Sequence, residues 1–490
     1  MRVTDIPDPD SNRHEAENDW PLELTGEALR HMVDNSMERV VAHLESIPRL
    51  PMSYTSGGAE LARSMREEEL PERATPFEEL LATVFDQGLQ KTYNTPSPGY
   101  LAYIPGGGLL HAAVADLIAN AINRYVGVWV AAPGLVELEA NVLRWFCQIV
   151  GYPAGSFGIL TSGGSLANFT AIVTARRNLL GDDFLRGTLY CSDQVHHSVT
   201  KAAMLAGFPK GNIREVPSDR LRRIQIEALK DQIDGDRQAG LEPFLVVGSA
   251  GTVNTGAVDD FEALSDVARE RNLWLHVDGA YGGFFVLTER GRQAMRGLDL
   301  ADSITLDPHK GLFLPYGTGC LLVRDQMALK NAHHLEADYM PEMQQAPDLV
   351  DFCELSPELS RDFRGLRAWL PLKMHGVSVF REALDEKLDL AAWACEELRA
   401  IEPMEIVAEP QLSILAFRLE PPGMDDEATD QLNRELLRRI NDRQRVFLTA
   451  TNLEGRYVIR ICVLSFRTHL DRMRQALEDI REAVSEVLSS

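Results

Sequence analysis

The 490-residue chain predicts an α/β fold: a large domain with a mainly parallel sheet, preceded by a helical arm and followed by a small α+β domain. Three observations predict it. Between about residues 97 and 330, short β-rich runs alternate with helical runs, the pattern of a buried parallel sheet covered by helices. Before that stretch the periodicity is helical alone. After about residue 370 one long helical run leads into β-rich runs and a closing helix. The length also exceeds what one small core accommodates.

Residues 1 to about 20 read as a polar tail containing Pro7 and Pro9. From Thr25 to about Tyr93 apolar residues recur at helical spacing, as in Leu29, Met32, Val33 and then Val40, Val41, Leu44. Pro48, Pro51 and Ser56-Gly57-Gly58 interrupt that pattern. Residues 1–95 are thus expected to form a tail and a helical arm that packs on a neighbour.

Residues 96–372 are expected to form the large domain. Its expected strands are Thr188–Cys191, Phe244–Val247, Leu273–Val277, Ser303–Leu306 and Gly319–Val323. Its expected helices include Leu166–Leu179, His197–Ala206 and Phe261–Arg271. Residues 373–490 are expected to form the small domain. There the expectation is a helix over Val377–Ile401, β-rich runs at Ile414–Leu419, Val446–Leu448 and Tyr457–Val463, and a helix over Leu470–Leu488.

Composition narrows the function classes. The chain is 45% hydrophobic and 25% charged, ordinary for a folded protein. With 49 basic and 73 acidic residues its formal charge is −24. Such a surface repels nucleic acid and anionic membranes, so neither is an expected partner. The six cysteines, at 147, 191, 320, 353, 395 and 462, are scattered and form no Cys-x-x-Cys. They lack metal-site spacing and read as neither a metal site nor a disulfide framework. The first twenty residues contain no signal-like apolar core, and no run reaches membrane-span length. The expected location is the cytoplasm.

Five sites carry chemistry. Thr161-Ser-Gly-Gly-Ser-Leu-Ala-Asn168 stands between a strand-like and a helical run. Its glycines allow close approach of an anion to free N–H groups at a helix start, with the Ser165 hydroxyl beside them. The same segment resembles a P-loop with Gly164 in place of the lysine, and a nucleophile elbow in which Ser165 would serve a hydrolase. It also reads as a tight turn with no ligand. Ser192-Asp-Gln-Val-His196-His197 follows a strand, where an imidazole can stack on a flat ring. Gly251-Thr252 follows the next strand and offers a hydroxyl. Asp278, in Leu275-His-Val-Asp278-Gly-Ala-Tyr281, ends an apolar strand and needs a cation or hydrogen bonds, or else caps a turn. Lys310, in Asp307-Pro-His-Lys310, follows a buried strand. Partial desolvation there favours the neutral amine that attacks a carbonyl, against the commoner reading of a surface lysine.

The order of these motifs resembles the group II pyridoxal phosphate (PLP)-dependent amino-acid decarboxylases of the aromatic-L-amino-acid decarboxylase type. The resemblance runs from about Pro96 to Gly376 and includes Trp129 to Pro133 with Glu137-Leu-Glu139, Ser192 to His196, His276 to Tyr281, and Asp307 to Lys310. It implies the fold-type I, aspartate-aminotransferase-like architecture and pyridoxal 5'-phosphate as cofactor. It makes Lys310 the Schiff-base lysine and Asp278 the acid that keeps the pyridine nitrogen protonated. His196 becomes the ring-stacking histidine, Ala280 the small residue under the other face, and Thr252 the threonine near the ring. Gly164 and Ser165 become the phosphate pair, and His309 the histidine before the lysine. Asp307 stands where many relatives have asparagine, and an ionised carboxylate beside a phosphate is repulsive.

The resemblance further implies decarboxylation of an L-amino acid to the amine and carbon dioxide, in a homodimer whose active site lies at the subunit interface. Tyr339, on a long polar segment, matches the tyrosine that returns the proton; phenylalanine there would imply aldehyde production. Tyr103, Ile104, Trp129 and His197 match the substrate pocket, whose apolar and aromatic walls favour an aromatic or bulky apolar side chain. Alternatives on the same fold are an acidic substrate (glutamate, aspartate or cysteine sulfinate), an aldehyde synthase, a transaminase and a lyase. Arg361, Arg364 and Arg367 stand at helical spacing, as carboxylate binders or structural residues.

Overall fold

The computed structural model describes residues 22–335, 343, 346 and 348–489. The chain divides into two compact units, Met1–Asn94 and Thr95–Ser490. The expected boundary at 372/373 falls within the second unit, inside the helix Gly365–Arg399, close to its break at left-handed Gly376 (φ 71°). In the first unit the helix Gly26–Ser46 starts at Thr25, whose hydroxyl accepts the Ala28 N–H at 3.2 Å. None of that helix's residues is buried.

The second unit holds a seven-stranded sheet: β1 (Phe157–Thr161), β2 (Gly187–Ser192), β3 (Ile213–Val216), β4 (Glu242–Ser249), β5 (Trp274–Gly279), β6 (Ser303–Leu306) and β7 (Gly319–Val323). Their order is β1-β7-β6-β5-β4-β2-β3. Only β7 runs against its neighbours, so the sheet is mixed but mainly parallel. Every residue of β1, β2, β5, β6 and β7 is buried, which is why these strands read as continuous apolar runs. The edge strand β3, Ile-Arg-Glu-Val, carries mixed polarity and gives no such run.

A second, antiparallel sheet has the order β10-β11-β9-β8, from β8 (Met404–Ala408), β9 (Ile414–Leu419), β10 (Thr449–Leu453) and β11 (Arg456–Cys462). The strand expected at Val446–Leu448 is instead an approach segment: Phe447 makes one isolated bridge with Tyr100, and pairing begins at Thr449. The closing helix spans Leu470–Leu488, as its periodicity predicts. Among the described residues no helix is long and apolar enough to cross a membrane.

The first sheet positions the site. In a parallel sheet the loops after the strand C-terminal ends converge on one edge. Here His196 follows β2, Thr252 follows β4, Asp278 ends β5 and Lys310 follows β6.

Candidate active site

A cavity of about 450 Å³ opens at that edge. Tyr103, Ile104, Gly164, Ser165, His196, Thr252, Asp278, Ala280, His309 and Lys310 all line it. Thus ten residues singled out from the sequence, spread from position 103 to 310, come together. Trp129 and His197 do not line it. Trp129 heads a short 3-10 turn whose backbone N–H donates to Asp351 at 2.6 Å, and the His197 ring packs against that of His196 at 4.2 Å between centroids. Tyr339 lies outside the described residues.

Each wall has a local cause. The helix Gly164–Leu179 has glycine at its N-cap and no side-chain cap, which leaves first-turn N–H groups for an anion. A Cβ on Gly164 would stand 3.1 Å from both Ala280 Cβ and Asp307 Oδ2, so glycine keeps this corner open. Gly251 turns the chain after β4 with φ +95°, and a Cβ there would meet Tyr281 Cδ1 at 2.5 Å. The turn presents Thr252, whose hydroxyl accepts the Ala257 N–H at 3.1 Å and faces Thr255 Oγ1 at 3.0 Å. Tyr103 is a non-glycine residue at φ 50°, held by its N–H to Thr449 Oγ1 at 3.3 Å.

Asp278 is 8% exposed. Its Oδ1 accepts the Ala280 N–H at 3.1 Å and its Oδ2 accepts Asn168 Nδ2 at 2.9 Å. His196 caps the helix His197–Leu205, with Nδ1 2.7 Å from Ser198 Oγ. Burial lowers its pKa against the raising influence of Asp278. His309 is likewise lowered by burial, against Asp307, and its Nδ1 donates to the Thr318 carbonyl at 2.6 Å.

Lys310 departs from expectation. Burial does pull its amine pKa down, but the charge and hydrogen bond of Asp307, aided by Asp278, outweigh burial and the net shift is upward. Nζ lies 2.8 Å from Asp307 Oδ2. The sequence shows the desolvating strand; it does not show that the carboxylate three residues back folds onto the amine.

The three arginines are engaged elsewhere. Arg361 pairs with the fully buried Glu139, Arg364 binds Glu358 at 2.7 and 2.9 Å, and Arg367 binds Asp116 at 2.7 Å. Ser165 lines the cavity beside the uncapped start of the helix Gly164–Leu179. Sequence reasoning gave no role to Asn168, Ser198, Ser249 and Val253, which also line the cavity. Asn168 and Ser198 left one signal, a polar residue on a helix face otherwise packed into the core.

The lining fits PLP. It offers an amine for the aldehyde, an acceptor carboxylate for the ring nitrogen and an uncapped helix start for the phosphate. A family model for the pyridoxal-dependent decarboxylase conserved domain matches residues 60–420. An aromatic-L-amino-acid decarboxylase from Bacillus atrophaeus is 34% identical over 468 residues, 95% of this chain and 97% of that protein. A 4-hydroxyphenylacetaldehyde synthase from Rhodiola rosea is 29% identical, covering 85% of this chain and 88% of that protein. The crystal structure of Oryza sativa TDC with PLP and tryptamine superposes with a TM-score of 0.90 at 26% identity, covering 95% of this chain and 99% of that one. The chain belongs to the pyridoxal-dependent decarboxylase family and is a PLP-dependent amino-acid decarboxylase.

Proposed function

We propose that the substrate is an aromatic or bulky apolar L-amino acid, converted to its amine and carbon dioxide. One observation carries this choice: among the described residues lining the cavity, Lys310 is the only lysine or arginine. Lys310 is committed to the cofactor, so nothing there receives a distal carboxylate, while Tyr103, Ile104, Leu166 and Val253 give apolar surface. The aromatic-amino-acid decarboxylase from Bacillus atrophaeus supports the same substrate class.

In this reading Lys310 would hold the cofactor through its amine. Bound PLP supplies an electron sink for the pair released when the carboxylate leaves. Asp278 would accept a hydrogen bond from the ring nitrogen and favour its cationic form. His196 and Ala280 would hold the ring between them. The start of the helix Gly164–Leu179, with Ser165, holds the phosphate. Tyr339 returns the proton to the substrate carbon.

Carbon dioxide release from L-tryptophan, L-tyrosine and L-phenylalanine, compared with L-glutamate, L-aspartate and cysteine sulfinate, tests the reading. We expect kcat/KM for at least one aromatic substrate to exceed that for every acidic one by roughly a hundredfold, the scale at which a missing charge partner discriminates. Preference for an acidic substrate would overturn it.

The active form is proposed to be a cytoplasmic homodimer. Val114, Leu117 and Ile118 are 39, 51 and 44% exposed on the helix Leu110–Ile122, beside the exposed Met374 and Val379, and an apolar face of this kind supports self-association. Sedimentation should give twice the 54.6 kDa chain mass; a monomer would reject the dimer. The six cysteines, all free and five of them buried, support a reducing compartment.

A further inference from the structure

A polar chain runs from the core beneath the cavity to its lining residues, and the reaction as described uses only its two ends, Asp278 and His196. Its direction follows from the chemistry of its members. The Trp274 indole N–H can only donate, and it meets Ser303 Oγ at 2.8 Å. Ser303 Oγ also lies 2.8 Å from His276 Nδ1, where its second lone pair or its hydrogen could serve, so the direction is set from the other side of the ring. Burial lowers the pKa of His276 and favours the neutral ring; because Asn168 Oδ1 can only accept, the proton sits on Nε2 and Nδ1 accepts from Ser303 Oγ. Nε2 donates to Asn168 Oδ1 at 3.0 Å, and Thr305 Oγ1 donates to the same oxygen at 2.7 Å. Both lone pairs of that oxygen are then taken, and the amide cannot flip.

Asn168 Nδ2 consequently faces the cavity side. It donates to Asp278 Oδ2 at 2.9 Å and to Ser198 Oγ at 3.1 Å. Ser198 Oγ passes its hydrogen to His196 Nδ1 at 2.7 Å, and the Ser198 N–H reaches the same nitrogen at 3.3 Å. His196 must then carry its proton on Nε2. One fixed amide thus sets the orientation of a carboxylate from β5 and the tautomer of an imidazole that follows β2. Apart from half-buried His196, the members are strongly buried, from Asn168, His276, Ser303 and Thr305 at 0% exposure to Ser198 at 5% and Trp274 and Asp278 at 8%. In such surroundings a lost partner leaves an orphaned polar group with no water to replace it. The other titratable groups facing this array are Lys310, Asp307 and His197.

We infer that Asn168 and His276 are positioning residues: through a one-way hydrogen-bond chain they hold Asp278 and His196 in the orientations that receive the cofactor ring. The inference rests on the proposed cofactor roles of those two residues. Neither Asn168 nor His276 is required to touch a reacting atom.

The test uses the PLP-loaded protein and reads cofactor affinity, the visible circular-dichroism band of the bound cofactor and the pH midpoint of its absorption. Asn168→Ala should weaken PLP binding by about tenfold or more, shift the midpoint and reduce the dichroic band, the scale of one orphaned buried group. Ser198→Ala, which cuts only the His196 branch, should reduce the dichroic band and leave PLP affinity within about threefold, a loss below one such group. Where Asn168→Ala does not fold, His276→Ala and His276→Gln decide the matter. Glutamine restores a donor to Asn168 Oδ1, so it should retain wild-type affinity while alanine loses about tenfold. Folded Asn168→Ala with wild-type affinity, midpoint and dichroism, or His276→Ala equal to His276→Gln, overturns the inference. A wild-type protein that takes up no PLP would instead sink the assigned roles of Asp278 and His196.

Discussion

The amine of Lys310 lies 2.8 Å from Oδ2 of Asp307, while Oδ1 of the same carboxylate is buried without a hydrogen-bond partner. The carboxylate also stands against Gly164, at the corner assigned to the phosphate. On the proposed phosphate placement, Asp307 would favour the protonated amine before PLP arrives and oppose the phosphate afterwards. Asp307→Asn removes both effects. The pH at which the cofactor-free protein captures PLP half-maximally should fall, because the neutral amine becomes available at lower pH. Absorbance growth on mixing with PLP across a pH series measures it; an unchanged or higher midpoint contradicts this role.

Gly164→Ala places a methyl group 3.1 Å from Ala280 Cβ and Asp307 Oδ2, on the phosphate side of the cavity. The fold should survive, since the contacts face a cavity, but PLP should bind roughly tenfold more weakly, in line with the ~1–3 kcal/mol of modest overpacking. Equilibrium dialysis against PLP, with a melting curve as control, separates the two.

Acid should destabilise the fold in a defined window. Burial lowers both His276 and His333 from 6.5 to about 4. The folded chain keeps these rings neutral while the unfolded chain protonates them below 6.5. Their stabilising contribution is complete above pH 6.5 and is lost as pH falls toward 4. Each should cost about 2 kcal/mol at pH 5 relative to pH 7. Denaturant melts of wild type and His333→Gln at the two pH values should show a shallower acid loss in the variant.

Tyr339 lies outside the described residues, and its chemistry tests the product. Tyr339→Phe removes the proposed proton donor, so the amine yield should fall and aldehyde should appear among the products. Unchanged amine yield without aldehyde would remove Tyr339 from the mechanism.

Much of this was legible because buried strands announce themselves. Ser303–Leu306, Gly319–Val323 and Ile414–Leu419 are read from the sequence with the bounds the structure gives them. Four strands carry a cavity residue at or just past their C-terminal ends: His196 after β2, Thr252 after β4, Asp278 in β5 and Lys310 after β6. What stayed hidden depends on contacts distant in sequence. Asn168 gains its meaning from His276, 108 positions away, and no local pattern pairs an amide with that imidazole. Trp129 does not line the cavity, and its backbone N–H donates to Asp351, 222 positions away in sequence. The ionisation of Lys310 was misread for a local reason: burial was visible as an apolar strand, but the rotamer that brings Asp307 onto the amine was not.

The central claim is that Lys310 holds the cofactor at the edge of the first sheet. Borohydride reduction of the PLP-loaded protein followed by peptide mass mapping tests it most directly. The account predicts one pyridoxyl-modified peptide, containing Lys310, and its loss in Lys310→Ala. Modification of a different lysine, or a protein that stays colourless with added PLP, would contradict it.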